Sequence, residues 1–276
     1  MKRSARIALT ALLASAAASA SAQMAVQTDM DWPLGEIRIT ASRMLGEGMS
    51  PSDHPRALTA LETELPPYIV DVISSLSWDD RGTIGDLIAR EPSARTSVEE
   101  LARSFKREWS RLSNDRDAVE AAYTLDLTEV FDYLSPAPFP GESASVPISW
   151  TPVPEDGWSG IVIYAPSNLP VRGTSLRADP IPALGARVLT DGLEVLTDPA
   201  IRSGELLSYR IVSDRGDTDD LVGRRPYRTM ARGLYGDHPC DIILSAEDSM
   251  RIMASESGRE ALSSGRILIL LDAFPE

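Results

Sequence analysis

Hydrophobic and polar positions change period several times along this chain, and each change marks an element. Ile37-Arg38-Ile39-Thr40 alternates, the pattern of a half-buried strand. Before it, Gln23 to Asp31 reads as a polar leader without periodicity, and after it Gly46, Gly48, Pro51 and Ser52 mark a loop. From Pro55, residues Leu58, Leu61, Glu62 and Leu65 keep helical spacing until Pro66-Pro67. There a lost donor and a steric clash interrupt the helix. Tyr68 to Leu76 resumes an apolar face through Ile69, Val72, Ile73 and Leu76. Ser97 and Glu100 have capping-box spacing, and the helix they open places Val98, Leu101, Phe105, Trp109 and Leu112 along one stripe. Tyr123, Leu125, Leu127 and Glu129 then alternate along a strand ending near Tyr133. With a short strand at Thr83 to Ile88, the order is strand, helix, short strand, helix, strand.

Residues 135–157 carry Pro136, Pro138, Pro140, Pro147, Pro152 and Pro154, a linker stiffened by proline. Beyond it, Trp158 to Tyr164 is a strand run rich in β-branched residues. Asp191-Gly192 separates Ala186–Leu189 from Leu193–Leu196, a hairpin signal. Leu206 to Val212 and Arg228 to Leu234 read as further strands. Asp241–Leu244, a helix from Ala246 to about Ser255 and a strand at Arg266–Leu271 complete a β-α-β ending. The pattern predicts an α+β protein of two domains. Residues 23–134 form a small sheet with two or three helices on one face. Residues 158–276 form a mostly β domain with a helix before its last strand.

The first 22 residues stand apart. Lys2, Arg3 and Arg6 precede an apolar run from Ile7 to Ala18 and a small-residue exit at Ala20-Ser21-Ala22. This is the layout of a secretory signal peptide, with cleavage expected between Ala22 and Gln23, and it predicts a periplasmic or secreted protein. The run is too short to span a bilayer, and no later segment approaches the required length, so no membrane span is expected. Gln23 stands where a lipoprotein needs cysteine, so no lipid anchor is expected. The single cysteine, Cys240, allows no intramolecular disulfide and reads as a small buried hydrophobe before a strand. The formal charge of −14 becomes more negative when the signal leaves. Such a protein repels nucleic acid and anionic lipid, so neither is an expected partner.

Catalytic patterns are sparse. His54 and His238 sit beside proline in loops, read as surface, and lie outside any metal-ligand spacing. The acidic run Asp214, Asp217, Asp219 and Asp220 is a weak calcium candidate, because several loop carboxylates can supply oxygen ligands. The EF-hand pattern fails there: Arg228 occupies the position of the bidentate glutamate, and Arg215 repels a cation. Arg215-Gly216-Asp217 is also an integrin-type tripeptide, a pattern common by chance. Trp78-Asp79-Asp80 and Glu99-Glu100 offer carboxylate pairs, but glycosidase-type chemistry needs two carboxylates facing each other across a cleft. Trp158 and Tyr164 are aromatics able to line a sugar or peptide groove. No cofactor is implied, and no catalytic residue is assigned.

Trp158-Ser159-Gly160-Ile161-Val162-Ile163-Tyr164-Ala165 resembles the opening strand of an extracytoplasmic bacterial domain. The run Pro182 to Leu196, the segment Asp241 to Asp248 and the ending Gly265 to Asp272 resemble later parts of that domain, in the same order. The family consists mostly of uncharacterised exported proteins and lipoproteins. Ala165-Pro166-Ser167-Asn168-Leu169 departs from the A-R-G-L run usual after the first strand. The N-terminal part is more distantly similar to small outer-membrane lipoproteins and flagellar ring-assembly proteins. Together with the signal layout and the sparse chemistry, the resemblance points to a non-enzymatic interaction or assembly protein of the envelope, flagellum-associated in its most specific form, with an envelope or flagellar protein or the cell wall as partner. The alternatives are a periplasmic binding module for a sugar or peptide and a hydrolase using Asp79 or Glu99.

Overall fold

The computed structural model describes residues 24–46, 50–135, 157–197, 206–213 and 218–274. The leader with its cleavage point, most of the proline-rich stretch, Asp214 and Asp217 lie outside the described residues.

The described residues begin with β1 (Met24–Asp31) and β2 (Glu36–Met44), then α1 (His54–Glu64) and α2 (Pro66–Ser74). There follow β3 (Ser77–Asp79), β4 (Gly82–Thr83), α3 (Ile84–Arg90), α4 (Pro92–Ser104), β5 (Lys106–Leu112), β6 (Ala118–Asp126) and α5 (Leu127–Leu134). Two compact units emerge, both α+β. The first takes the described residues up to Ser74 together with Pro92–Tyr133. The second takes the described residues from Leu134 onward and also Ser75–Glu91, so β3, β4 and α3 belong to it.

In the first unit an antiparallel sheet has the order β1-β2-β6-β5. Ile37, Ile39 and Ala41 alternate inward along β2, opposite Leu125, Tyr123 and Ala121 of β6, and all are buried. Period-two spacing places these six on one face. They meet Leu58 and Leu61 of α1, while α2 and α4 pack against one another. The other face carries Arg38, Arg111 and Asp126, all exposed.

Four local expectations fail here. Met24–Asp31 is a strand, not an irregular leader; Met24, Val26, Thr28 and Met30 carry its period of two. The helix thought to start at Ser97 starts at Pro92, so Ser97 and Glu100 lie inside it. It stops at Ser104, and Phe105-to-Leu112 is mostly β5, because pairing with β6 satisfies its backbone and overrides a helical stripe. The strand through Leu125 ends at Asp126, and Leu127–Leu134 is helix.

The second unit continues with β7 (Ile161–Ala165), β8 (Leu169–Pro170), β9 (Arg177–Ala178), β10 (Val188–Leu189), β11 (Val195–Thr197) and β12 (Ser208–Ile211). It ends with α6 (Asp219–Val222), β13 (Tyr227–Met230), β14 (Gly233–Tyr235), β15 (Asp241–Ile243), α7 (Ala246–Ala254), α8 (Glu256–Ser263) and β16 (Ile267–Leu271). One sheet is wholly parallel, in the order β12-β16-β7-β13. Its central strands read Ile161-Val162-Ile163 and Ile267-Leu268-Ile269, continuous apolar runs buried on both faces, as parallel sheets require. A second sheet has the order β11-β10-β15-β14 and contains the hairpin around Asp191-Gly192.

The expected β-α-β ending is corrected in two ways. Two helices, not one, precede the last strand, and β15 and β16 lie in different sheets. Ser245 and Ser255 each cap one of those helices through the side-chain oxygen. The strand expected over Thr83–Ile88 is also corrected: Thr83 and Asp86 form a reciprocal capping box and turn the chain into α3. Among the described residues no helix is long and apolar enough to cross a membrane.

Candidate functional site

Chemistry-bearing side chains of the second unit gather where Ser75–Glu91 packs into it. Asp241 opens β15 and is fully buried. Its Oδ1 accepts the Arg187 backbone N–H at 2.8 Å, and its Oδ2 accepts Nε and Nη2 of Arg187 at 2.8 and 2.5 Å. Burial pushes the Asp241 carboxyl above its ordinary range, and Arg187 pulls in the opposite direction without cancelling that shift. The same Nη2 lies 3.0 Å from Asp80 Oδ2, so one guanidinium joins β15 to the β3–β4 turn.

Backbone contacts hold that turn in place. Leu184 and Gly185 donate to the carbonyls of Ser77 and Trp78, and His238 donates to that of Asp80. Gly236 sits at φ 105°, and a Cβ there meets Asp80 O and Cβ at 2.6 Å. Only glycine permits both that conformation and that approach.

Most of the polar groups here already have partners. Asp79 faces Arg90 at 3.4 Å and accepts Arg81 N–H. Cys240 is buried as expected, and burial pushes its thiol well up, away from nucleophilic thiolate. His238 lies in a loop and is half-buried rather than freely exposed: its Nε2 is buried, and burial lowers its pKa against the pull of Asp79 and Asp86. His54 likewise has a buried Nε2. Asp79 belongs to the second unit and Glu99 to the first, where Glu99 pairs with Arg95 at 3.0 Å. The arrangement suits a structural clamp.

The strands that carry the opening and closing stretches of the sequence resemblance, β7 and β16, lie side by side. At their carboxyl ends Asp272 accepts the Tyr164 hydroxyl at 2.7 Å and the Ser167 N–H at 2.8 Å. Those bonds hold its carboxyl below the usual range. Trp158 packs on Tyr227 with ring centroids 4.5 Å apart. Trp158 and Tyr164 thus engage different neighbours. Asn168 adopts φ 61°, a left-handed conformation that asparagine tolerates, just after the point where the sequence leaves the A-R-G-L run.

Of the calcium candidates, Asp219 and Asp220 open α6, and Asp219 faces Arg224 at 3.5 Å. Among the described residues no group of three acidic, histidine or cysteine side chains converges as a metal site.

The first unit contains a cavity of about 340 Å³ lined by Glu62, Leu65, Pro66, Ala102, Arg103, Phe105, Arg107 and Tyr123. Leu65 and Ala102 give it an apolar floor. Arg107 Nη1 lies 2.5 Å from Glu62 Oε1, and the Tyr123 hydroxyl is 3.5 Å from the same oxygen. Burial, reinforced by Glu62, raises the Tyr123 pKa to about 12, so the phenol stays protonated and donates. Phe105 meets Tyr123 edge to face at 5.1 Å. Glu62 and Tyr123 are 61 positions apart, and no local spacing in the sequence brings them together.

These features define a two-unit α+β protein with a polar clamp in one unit and a cationic cavity in the other. Residues 23–133 match the family model described as the N-terminal domain of Treponema pallidum Tp0624, and residues 160–273 match the model described as its second domain. The two matches follow one another along the chain in the order of those domains. No curated protein matches the chain.

Proposed function

We propose that this is a non-enzymatic exported interaction or assembly protein of the bacterial envelope, periplasmic or secreted after removal of residues 1–22. The supporting observation is Trp109. A bulge between Arg107 and Trp109 breaks the alternation of β5, pairing Arg107 with inward-facing Tyr123 but Trp109 with Ala122. Trp109 is thereby turned to the sheet face opposite α1 and remains 38% exposed. The Arg111 guanidinium lies 4.9 Å from its ring centroid. Tryptophan and arginine are the residues that most often dominate protein interfaces. Flagellar association is the most specific form of the reading and rests on the distant N-terminal similarity alone.

Capture of partners from envelope fractions by the tagged chain tests this. Trp109→Ala is expected to abolish capture while leaving the thermal midpoint unchanged. Recovery of the wild-type chain as an unpartnered monomer sinks the proposal. A second reading, a binding module for a peptide or sugar, is favoured by the cavity of the first unit, whose volume falls within the usual range for small-molecule sites.

A further inference from the structure

We infer that the first unit's cavity binds a ligand presenting a carboxylate on an apolar group, the chemistry of a peptide C-terminus. This rests on the binding-module reading and names its ligand class. Two guanidinium groups and one carboxylate line the cavity, so it carries a local positive charge in a chain whose formal charge is −14. Glu62 is already engaged by Arg107 and Tyr123, so it does not repel an incoming anion as a bare carboxylate does. Arg107 uses Nη1 for that pair and keeps its other donors. Arg103 has one distant pairing, 3.9 Å to Glu99, and a side chain 63% exposed. Such a pair contributes little, and Arg103 reorients at low cost.

An arginine fork recognises a carboxylate through two parallel N–H bonds, which gives direction as well as attraction. Beside the guanidinium groups, the part-exposed Pro66 and Phe105 offer an apolar wall for the side chain next to that carboxylate, backed by the fully buried Leu65 and Ala102. The volume of about 340 Å³ admits the last residue or two of a peptide. The Tyr123 ring is buried under Phe105 and leaves no open platform for stacking a sugar.

The test is calorimetric titration of the full chain with N-acetyl-Ala-Ala-Leu as the free acid, as the C-terminal amide, and with a neutral trisaccharide. The acid is expected to bind, and the amide about tenfold more weakly or worse, since charge-assisted hydrogen bonds are the strong ones. Arg103→Gln, at an exposed position, is expected to weaken acid binding by a similar factor with the thermal midpoint unchanged. Equal binding of acid and amide overturns carboxylate recognition and leaves the binding module standing. Preference for the trisaccharide does the same. Failure of all three probes to bind overturns both.

Discussion

Arg187 and Asp241 lie 54 positions apart, and one arginine gives one carboxylate three hydrogen bonds, from its backbone N–H and from two guanidinium nitrogens. Asp241 is fully buried, so its charge depends on that arginine. Arg187→Met strips the carboxylate of its counter-charge, leaving of those three bonds only the backbone N–H, and is expected to cost about 3–5 kcal/mol of folding stability. Adding Asp241→Leu is expected to recover much of the loss. Urea unfolding of the single and double variants measures both effects, and a double variant no better than the single contradicts the assignment.

Gly236 permits the β3–β4 turn to lie against the segment after β14, within the second unit. Gly236→Ala forces a side chain into a positive φ of 105° and against the Asp80 backbone. A loss of about 1–3 kcal/mol is expected from the conformation alone. Proteolysis should reach the Asp79–Gly82 turn faster in this variant, and an unchanged cleavage rate rules out the clamp.

Stability should fall as the pH drops through the histidine range. Burial depresses the pKa of His238 in the folded chain below its unfolded value of about 6.5. Between the two values the unfolded chain binds more protons, so the folded state loses ground as pH falls. Above the unfolded pKa the group is neutral in both states and contributes no slope. His238→Leu should flatten the stability profile below about pH 6.5, and superimposable profiles exclude this cause.

Thr83 accepts the Asp86 N–H while Asp86 accepts the Thr83 N–H. Thr83→Ala removes the cap and should cost about 0.5–2 kcal/mol in equilibrium unfolding. A neutral result argues that α3 is held by Ile84 and Leu87 packing alone.

Cys240 should be inert in the native chain. Its burial and raised pKa leave neither access nor thiolate for an aromatic disulfide reagent. Labelling should therefore proceed at the rate of unfolding, and rapid labelling in the absence of denaturant contradicts the buried placement.

Much of the fold was legible where one period dominated. Leu58, Leu61 and Leu65 marked α1, Pro66-Pro67 marked the break before α2, and Asp191-Gly192 marked a hairpin. Misreadings fell where two periods fit the same residues. Lys106–Leu112 carries apolar side chains that suit a helical stripe, yet its backbone completes a ladder with β6. Of the candidate site, Asp79 and Asp80 stood out as neighbouring carboxylates, and Cys240 as buried. Arg187, Asp241, Glu62 and Arg107 carried no local signal, since each acquires its role from a partner distant in sequence.

By itself the sequence determined which stretches bury a face, because side-chain period follows from local backbone geometry. It also determined the α+β class, through the mixture of those periods. Only the tertiary structure decided that β7 lies between β13 and β16, that β15 and β16 part into separate sheets, and that Ser75–Glu91 joins the second unit. Strand pairing and buried ion pairs are selected by the satisfaction of backbone and charged groups across long loops. Local periodicity carries no record of that choice.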